Sequence, residues 1–172
     1  MGKRLFILLA VLFLTVSLTY GQNRIAVSSV SGKPGSEVRV PVTVTSDRPV
    51  AGIQFNLLFD QRCLEIKSAA NGAQVKTWNL IGLNAETVKE ANKNGKLPVS
   101  LVDFSLSKPI AAGKDREVFM VTFFIKPGVA GKPLAIRLDN YSLADDQARD
   151  IVVEPMNGEV KVVNQAAVKG KP

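Results

Sequence analysis

A two-residue alternation of apolar side chains is the feature that most constrains the fold of this chain. From Glu37 to Thr45, valine occupies every second position. From Ala51 to Phe59, large apolar residues again recur at every second position. Because a period of two places alternate side chains on opposite faces, both segments predict half-buried β-strands. Pro41, within the 37–45 segment, predicts that this strand lies at an edge of the sheet or contains a bulge.

Short segments of this kind follow one another along the chain, separated by turns rich in Gly, Pro, Asn and Asp. That arrangement is typical of an all-β sandwich. Asn84 predicts the start of one helical turn that ends at Asn94-Gly95. The nine predicted strands are residues 25–30, 37–45, 51–59, 64–69, 96–104, 116–125, 134–143, 151–154 and 159–163.

Residues 1–21 have the layout of a secretory signal peptide. Lys3 and Arg4 precede an apolar run from Leu5 to Val16 and a polar stretch that ends at Gly21. The apolar run is too short to span a bilayer. We therefore expect cleavage after Gly21, no membrane span in the mature chain, and a secreted or extracytoplasmic location.

The rest of the chain predicts one domain and a short tail. Residues 22–163 suffice for a single core and leave little room for a second. Residues 164–172 have few large apolar groups, which predicts a flexible tail. Without residues 1–21 the formal net charge falls from +7 to +5, and the basic residues occur singly. This pattern argues against nucleic-acid binding.

The composition argues against catalysis. The chain has no histidine, so it cannot form a Ser-His-Asp or Cys-His arrangement. Its one cysteine, Cys63, can form no internal disulfide and is predicted to be a buried thiol. Neither a phosphate-binding glycine loop nor a zinc cluster is present in the sequence. We predict a protein that is not an enzyme and needs no cofactor or metal.

Acidic residues crowd one segment near the C-terminus, at Asp139, Asp145, Asp146 and Asp150. Carboxylates and loop carbonyls can hold calcium, but this spacing does not fit an EF-hand loop. Because Asp favours turns through local hydrogen bonds, a solvated turn is the preferred interpretation. Calcium binding by this loop stays open at the level of the sequence.

Several segments, taken in order, resemble the cohesin domain family. A glycine turn feeds a strand that ends Val-Pro-Val, and a later strand ends in Phe-Asp before Leu-Glu-Ile. An Ala-Asp turn and a Gly-x-Val-x-Val strand close the match, which runs from Ile25 to Val163. The resemblance implies a nine-stranded jelly-roll sandwich, related to carbohydrate-binding modules, that acts as a receptor. The matching segments are residues 30–42, 52–60, 64–66, 118–125, 143–145 and 157–162.

The resemblance also implies a class of partner. In cellulosomal systems, cohesins bind dockerins, which are calcium-loaded helical modules attached to polysaccharide-degrading enzymes. The calcium belongs to the dockerin. In type I cohesins, an Asn and an Asp two positions apart on one strand hydrogen-bond the dockerin, and these positions here are Gly52 and Gln54. The cohesin architecture therefore transfers better than dockerin recognition does.

The outward face of the 51–59 strand is the best candidate for a binding surface. It combines amide and apolar groups, which suits protein recognition, although a solvated face with one stray leucine is the simpler alternative. The next strand adds to this surface if Val99 and Leu101 point inward. The predicted partner-binding residues are Gln54, Asn56, Leu58, Ser100, Val102 and Phe104.

Two other functions remain open from the sequence. Direct carbohydrate binding needs an exposed aromatic plane, and Trp78 is the one plausible stacking residue, although packing in the sandwich is its commoner role. A structural subunit of an envelope assembly would instead pair its exposed sheet edges with other chains.

Overall fold

Two β-sheets packed face to face make up the fold in this computed structural model, which describes residues 23–129 and 131–163. The predicted signal peptide at 1–21 and the predicted tail at 164–172 lie outside the described residues. The strands are β1 (Arg24–Val27), β2 (Val30–Gly32), β3 (Glu37–Ser46), β4 (Gly52–Leu58), β5 (Leu64–Asn71), β6 (Asn79–Ile81), β7 (Lys96–Val102), β8 (Gly113–Ile125), β9 (Pro133–Ala144), β10 (Asp150–Ile151), β11 (Glu154–Met156) and β12 (Gly158–Val162), and the helix is α1 (Ala85–Asn94).

The first sheet has the strand order β11-β1-β3-β8-β5, and the second has the order β2-β12-β9-β4-β7-β6 with β10 beside β9. Most neighbours are antiparallel, but β1 pairs with β11 and β2 pairs with β12 in parallel. The predicted all-β sandwich is therefore confirmed. Within the described residues no helix is long and apolar enough to cross a membrane.

The predicted number of strands is wrong, since the described residues contain twelve instead of nine. The predicted strand at 25–30 breaks at Ser28 and Ser29, where the chain crosses from the first sheet to the second. The predicted strand at 151–154 is replaced by β10 and β11, which belong to different sheets. The short edge strand β6 is the third addition.

The alternating apolar residues form the core between the sheets. Val40 and Val42 of β3 and Phe55 of β4 are completely buried. The rings of Phe55 and Phe119 meet edge to face, with centroids 5.7 Å apart. Because burial of each large apolar side chain contributes about 1.5–3 kcal/mol, this interior supplies the main stabilisation of the sandwich.

Pro41 does not mark an edge strand, because β3 lies between β1 and β8. The Pro41 carbonyl accepts a hydrogen bond from the Ser28 amide, just beyond the end of β1. In an antiparallel sheet, the backbone nitrogen and carbonyl of one residue point towards the same neighbouring strand. The Pro41 nitrogen therefore points towards the first residue after β1, where no ladder hydrogen bond is lost because proline has no N–H. The pairing with β8 is regular at Pro41, opposite Met120, and shifts only between Val42 and Thr43, so Pro41 does not itself lie in a bulge.

The last crossing between the sheets, from β11 to β12, requires a glycine. A Cβ atom on Gly158 would lie 2.6 Å from the carbonyl oxygen of Val27 and 2.8 Å from that of Ser28. The neighbouring Asn157 side chain accepts a hydrogen bond from the Leu138 amide at 2.9 Å. The Asn-Gly pair is therefore the point where the last strand passes closely over the first crossing.

Helix α1 was predicted correctly in place and in its cap. The Asn84 side chain accepts a hydrogen bond from the Thr87 amide at 2.9 Å, which satisfies one free donor of the first turn. Gly95 ends the helix with φ 75°, in the left-handed region that glycine adopts without strain. The Asn92 side chain then joins the helix to β5 by two hydrogen bonds with Ile66.

Candidate functional site

The outward side chains of β9, β4, β7 and β6 form one continuous surface, here named the β9-β4-β7-β6 face. Straight pairing of β4 with β7 and of β7 with β6 sets its register. Ile81 is 44% exposed on this face, and the depression beside it has a volume of about 130 Å³. From β6 to β9, successive rungs are Asn79, Val102, Gly52 and Ala144, then Ile81, Ser100, Gln54 and Ser142.

Four of the six predicted binding residues lie together on this face and are at least partly accessible. Gln54 is exposed and stands directly opposite Ser100. Leu58, Ser100 and Val102 are half-buried. Val99 and Leu101 are buried beneath them, so the condition under which β7 adds to the surface is met. The face thus combines amide, hydroxyl and apolar groups on a rigid sheet.

Asn56 does not offer a free amide, contrary to the prediction, because it is only 7% exposed. It lies between Pro98 of β7 and Asp139 of β9. The pairing with β9 shifts between Gln54 and Asn56, and the Asn56 amide nitrogen lies 3.5 Å from a carboxylate oxygen of Asp139. At the register shift, the Asn56 side chain is therefore covered by its neighbours on β7 and β9 and is not available to a partner.

Phe104 lies beyond β7, in a turn that a buried carboxylate holds in place. Asp103 is 5% exposed and accepts hydrogen bonds from the Ser105 hydroxyl at 2.6 Å and the Lys108 amide at 2.7 Å. The Ser105 hydroxyl, aided by the Lys108 amide, keeps the pKa of Asp103 below its usual value. The turn therefore holds Phe104, which is 67% exposed, in a fixed position at the end of the face.

Leu106 belongs to the same turn, and no pattern in the sequence around it predicts an exposed binding residue. It is 57% exposed and has φ 50°, a conformation that costs a leucine roughly 1–2 kcal/mol. Ile81 was also not selected, because its segment has too little alternation to predict a strand. Ile81 on β6, together with Phe104 and Leu106 in the turn after β7, gives this part of the surface three exposed large apolar side chains.

Trp78 is buried and does not present an aromatic plane. It is 5% exposed, and its indole Nε1 donates a hydrogen bond to the Lys108 carbonyl at 3.0 Å. It thereby joins the segment before β6 to the turn that carries Phe104. Carbohydrate stacking through Trp78 has no support in this geometry, because the sugar would need an exposed ring.

The acidic segment after β9 is a turn built on Asp145. This residue is 2% exposed, and its carboxylate accepts hydrogen bonds from the amides of Gln147 and Arg149 and from the Arg149 guanidinium. The Arg149 amide is the main reason that the pKa of Asp145 lies below its usual value. Across residues 23–129 and 131–163, no three acidic or cysteine side chains are grouped to hold a metal ion.

A basic cleft adjoins the β9-β4-β7-β6 face at the end opposite Phe104. It has a volume of about 650 Å³, and its lining includes Leu58, Arg62, Lys132 and Arg137. Hydrogen bonds from the Arg62 side chain and backbone lower the pKa of Asp60 to about 2. Arg62 is seventy residues before Lys132 in the sequence, so its proximity to Lys132 and Arg137 could not be predicted from single basic residues.

The family model for the cohesin domain matches residues 24–162. The chain belongs to the cohesin domain family. This match confirms the resemblance to cohesins that the ordered strand motifs indicated.

Solved structures of cohesins have the same fold as this cohesin domain. The seventh ScaB type I cohesin from Pseudobacteroides cellulosolvens has a TM-score of 0.72 at 22% identity, covering 88% of this chain and 98% of that one. A non-cellulosomal cohesin from the archaeon Archaeoglobus fulgidus has a TM-score of 0.69 at 20% identity, covering 84% and 94%.

The sixth cohesin of Acetivibrio cellulolyticus scaffoldin B, solved with a mutant Cel5 dockerin, has a TM-score of 0.69 at 23% identity. The match covers 83% of this chain and 99% of that one. No curated protein sequence matched the chain. At these identities, the structural matches establish the fold of this cohesin domain.

Gly52 and Gln54, where type I cohesins carry Asn and Asp, lie on adjacent rungs of the face in this cohesin domain. A Cβ atom on Gly52 would meet only the Ala144 Cβ, at an ordinary contact distance of 3.6 Å. The structure therefore accommodates a Cβ atom at this position, so packing against its neighbours does not require the glycine.

Proposed function

We propose that this cohesin domain is a non-catalytic module that binds a protein partner through its β9-β4-β7-β6 face. The observation that carries the proposal is the rigid face itself, where exposed Ile81 lies beside the polar pair Gln54 and Ser100 and exposed Phe104 follows the end of β7. Mixed apolar and polar surfaces with large apolar groups at one end are typical of protein recognition.

We propose a dockerin-like partner, on the basis of the family and of the cohesin structure solved with a dockerin. The contacts must differ from those of type I complexes, because Gly52 has no side chain and Gln54 has no charge. Any calcium would belong to the partner. The buried Asp145 turn supports this part, since its carboxylate is already occupied by hydrogen bonds.

We further propose that the protein is exported and acts outside the cytoplasm, in an assembly linked to polysaccharide degradation. The signal-like layout of residues 1–21 supports export, and membership in the cohesin family supports the link to polysaccharide-degrading assemblies. The mature protein would then consist of the domain at 22–163 followed by the tail at 164–172.

Capture of proteins from the secreted and envelope fractions of the source organism, with the immobilised chain as bait, tests whether the face binds a protein. The double variant Gln54→Arg/Ser100→Arg places two large cations on paired positions of the face. Its matched control is Ser68→Arg/Thr122→Arg, which makes the same change on paired positions of the first sheet. Mass spectrometry identifies the captured proteins, with and without a calcium chelator.

We expect one protein to be retained by the unmodified chain and by the control but lost with the face variant. Loss on calcium chelation, together with a dockerin sequence in the captured protein, would support the dockerin-like partner. Equal retention by the two double variants would refute binding through this face. Retention of polysaccharide with no protein would refute the proposed class of partner.

A further inference from the structure

We propose that the basic cleft binds an acidic segment of the protein partner, so that the partner carries carboxylates at one end of its footprint and apolar side chains at the other. The inference rests on the proposed function and adds the chemistry of the partner. It starts from an uneven distribution of charge along the β9-β4-β7-β6 face.

The cleft has more cations than its own acidic groups neutralise. Arg62 is paired with Asp60, at 2.9 Å. Lys132 and Arg137 have no acidic group within ion-pair distance among the described residues. Lys96 stands at the same end of the face, opposite Leu58. A positive cleft with open walls attracts carboxylates and repels basic segments.

Two acidic side chains of the second sheet lie near this end of the face, but they do not make its net charge negative. Glu159 stands opposite Ala135, but its carboxylate is 3.6 Å from the Lys161 ammonium group. Asp139 lies nearer the middle of the face, where its carboxylate is beside the Asn56 amide. The unpaired charge at the end of the face is therefore positive.

The lining of the cleft favours a peptide over a small anion. Leu58, Pro133 and Ala135 give it apolar surface between the cations. A volume of about 650 Å³ is far larger than a phosphate or acetate ion requires, and it is open to solvent. A segment that alternates carboxylate and apolar side chains would satisfy both kinds of surface.

The two ends of the face are separated by a distance that one secondary-structure element can span. From Gly52 to Leu58, β4 advances about 20 Å, because a strand rises roughly 3.3 Å per residue. An α-helix covers the same distance in about 13 residues. The geometry fits an amphipathic segment whose apolar end meets Ile81 and Phe104 and whose acidic end enters the cleft.

Synthetic peptides test the charge preference directly. Three capped peptides of about 15 residues share the same leucines and carry Glu, Gln or Lys at the remaining positions, so that each is long enough to span the face as a helix. Binding to the full chain is measured by amide chemical shifts and by fluorescence anisotropy. Polygalacturonate serves as an acidic polysaccharide probe.

The matched variants reverse the same number of charges in two places. Lys132→Glu/Arg137→Glu changes the cleft, and Lys76→Glu/Lys114→Glu changes exposed lysines elsewhere. We expect the Glu peptide to shift amides around Leu58 and Arg62. Its affinity should fall about tenfold or more in the cleft variant and by less than about twofold in the control, and it should weaken with salt.

Three outcomes would overturn the inference. The Gln peptide could bind as tightly as the Glu peptide, the control variant could lose as much affinity as the cleft variant, or polygalacturonate could bind the cleft more tightly than the Glu peptide. Partner capture separates this inference from the proposed function. If capture is lost with Gln54→Arg/Ser100→Arg but unchanged with Lys132→Glu/Arg137→Glu, the inference that the partner carries an acidic segment is refuted and the proposed function stands. If neither variant affects capture, binding through the face is itself refuted.

Discussion

The side-chain amide of Asn92 makes two hydrogen bonds to the backbone of Ile66. The Ile66 N–H donates to Asn92 Oδ1 at 2.7 Å, and Asn92 Nδ2 donates to the Ile66 carbonyl at 3.0 Å. Strand β5 is the last strand of the first sheet, so this amide occupies the position that a further strand would take. Helix α1 thereby covers part of an edge that would otherwise be free to pair with another chain.

Replacing Asn92 tests how much this contact contributes to stability. Asn92→Ala removes both hydrogen bonds and leaves a partly buried N–H and C=O without their partner. The free energy of unfolding should fall by about 1–3 kcal/mol, as urea denaturation would measure. Lys89→Ala, on the exposed side of the same helix, is the control and should change it by less than about 0.5 kcal/mol. Equal effects of the two substitutions would contradict this account.

Between pH 2 and pH 8, the stability of the domain should depend on pH only at the acidic end. The pKa of Asp145 is lowered, chiefly by the Arg149 amide, and that of Asp60 is lowered to about 2 by Arg62. A lowered pKa adds stability above the ordinary range of a carboxyl group, near pH 4, and this stability is lost as the pH falls through the lower value. Without histidine, the chain lacks the side chain that ordinarily titrates between pH 5 and 8.

Thermal unfolding measured at a series of pH values tests this dependence. We expect a constant Tm from about pH 5 to 8 and a fall from about pH 4 towards pH 2. Asp145→Asn should lower the Tm at neutral pH and make the fall in acid shallower, because one contributing carboxylate is gone. Asp146→Asn, at an exposed position of the same turn, should do neither. A Tm that falls steadily from pH 8 to pH 5 would be inconsistent with these assignments.

Trp78 is the only tryptophan in the chain, so its fluorescence reports on one site. Because it is buried and its indole nitrogen is hydrogen-bonded, we expect blue-shifted emission and weak quenching by acrylamide. Added cellulose fragments or xylan should leave the emission unchanged. A saturable change in emission with either polysaccharide would contradict this expectation and support carbohydrate binding near Trp78.

Introducing the type I residues tests whether these two positions control recognition of a type I dockerin. In Gly52→Asn/Gln54→Asp, both new side chains lie on the face, and the space beside Gly52 allows the first. The free energy of unfolding should change by less than about 1 kcal/mol. Affinity for a type I dockerin with calcium, measured by calorimetry, should rise at least tenfold over that of the unmodified chain. Ser68→Asp on the other sheet should produce no gain, and a folded double variant without increased affinity would contradict the assignment of these two positions.

The sequence allowed the core to be predicted better than the binding surface. The alternation around Val40 and Phe55 reports a local property, the direction of successive side chains, and it correctly separated the buried set from the outward set. Asn56 was misjudged because its exposure depends on a register shift against β9, a strand more than seventy residues later. Nothing in its own segment signals that neighbour.

The same limit applies to the two ends of the face. The prediction has Phe104 continue the strand, but the Asp103 turn begins before it. The Asp-x-Ser sequence from Asp103 to Ser105 is the local turn signal at this point. Arg62, Lys132 and Arg137 form a cleft only because the loop after β4 and the start of β9 meet in the second sheet. Isolated basic residues in a sequence do not reveal such a meeting.

The two parallel pairings also determine how the domain would respond to mechanical tension. Strands β1 and β2 run alongside β11 and β12 in the same direction, so Asn23 and Val163 lie at opposite ends of the sandwich. A pull on those two points would slide β12 lengthwise against β2 instead of peeling it away. In that loading, the hydrogen bonds between the two strands share the force and must break together, so the sandwich can transmit a load between whatever is joined to its two ends.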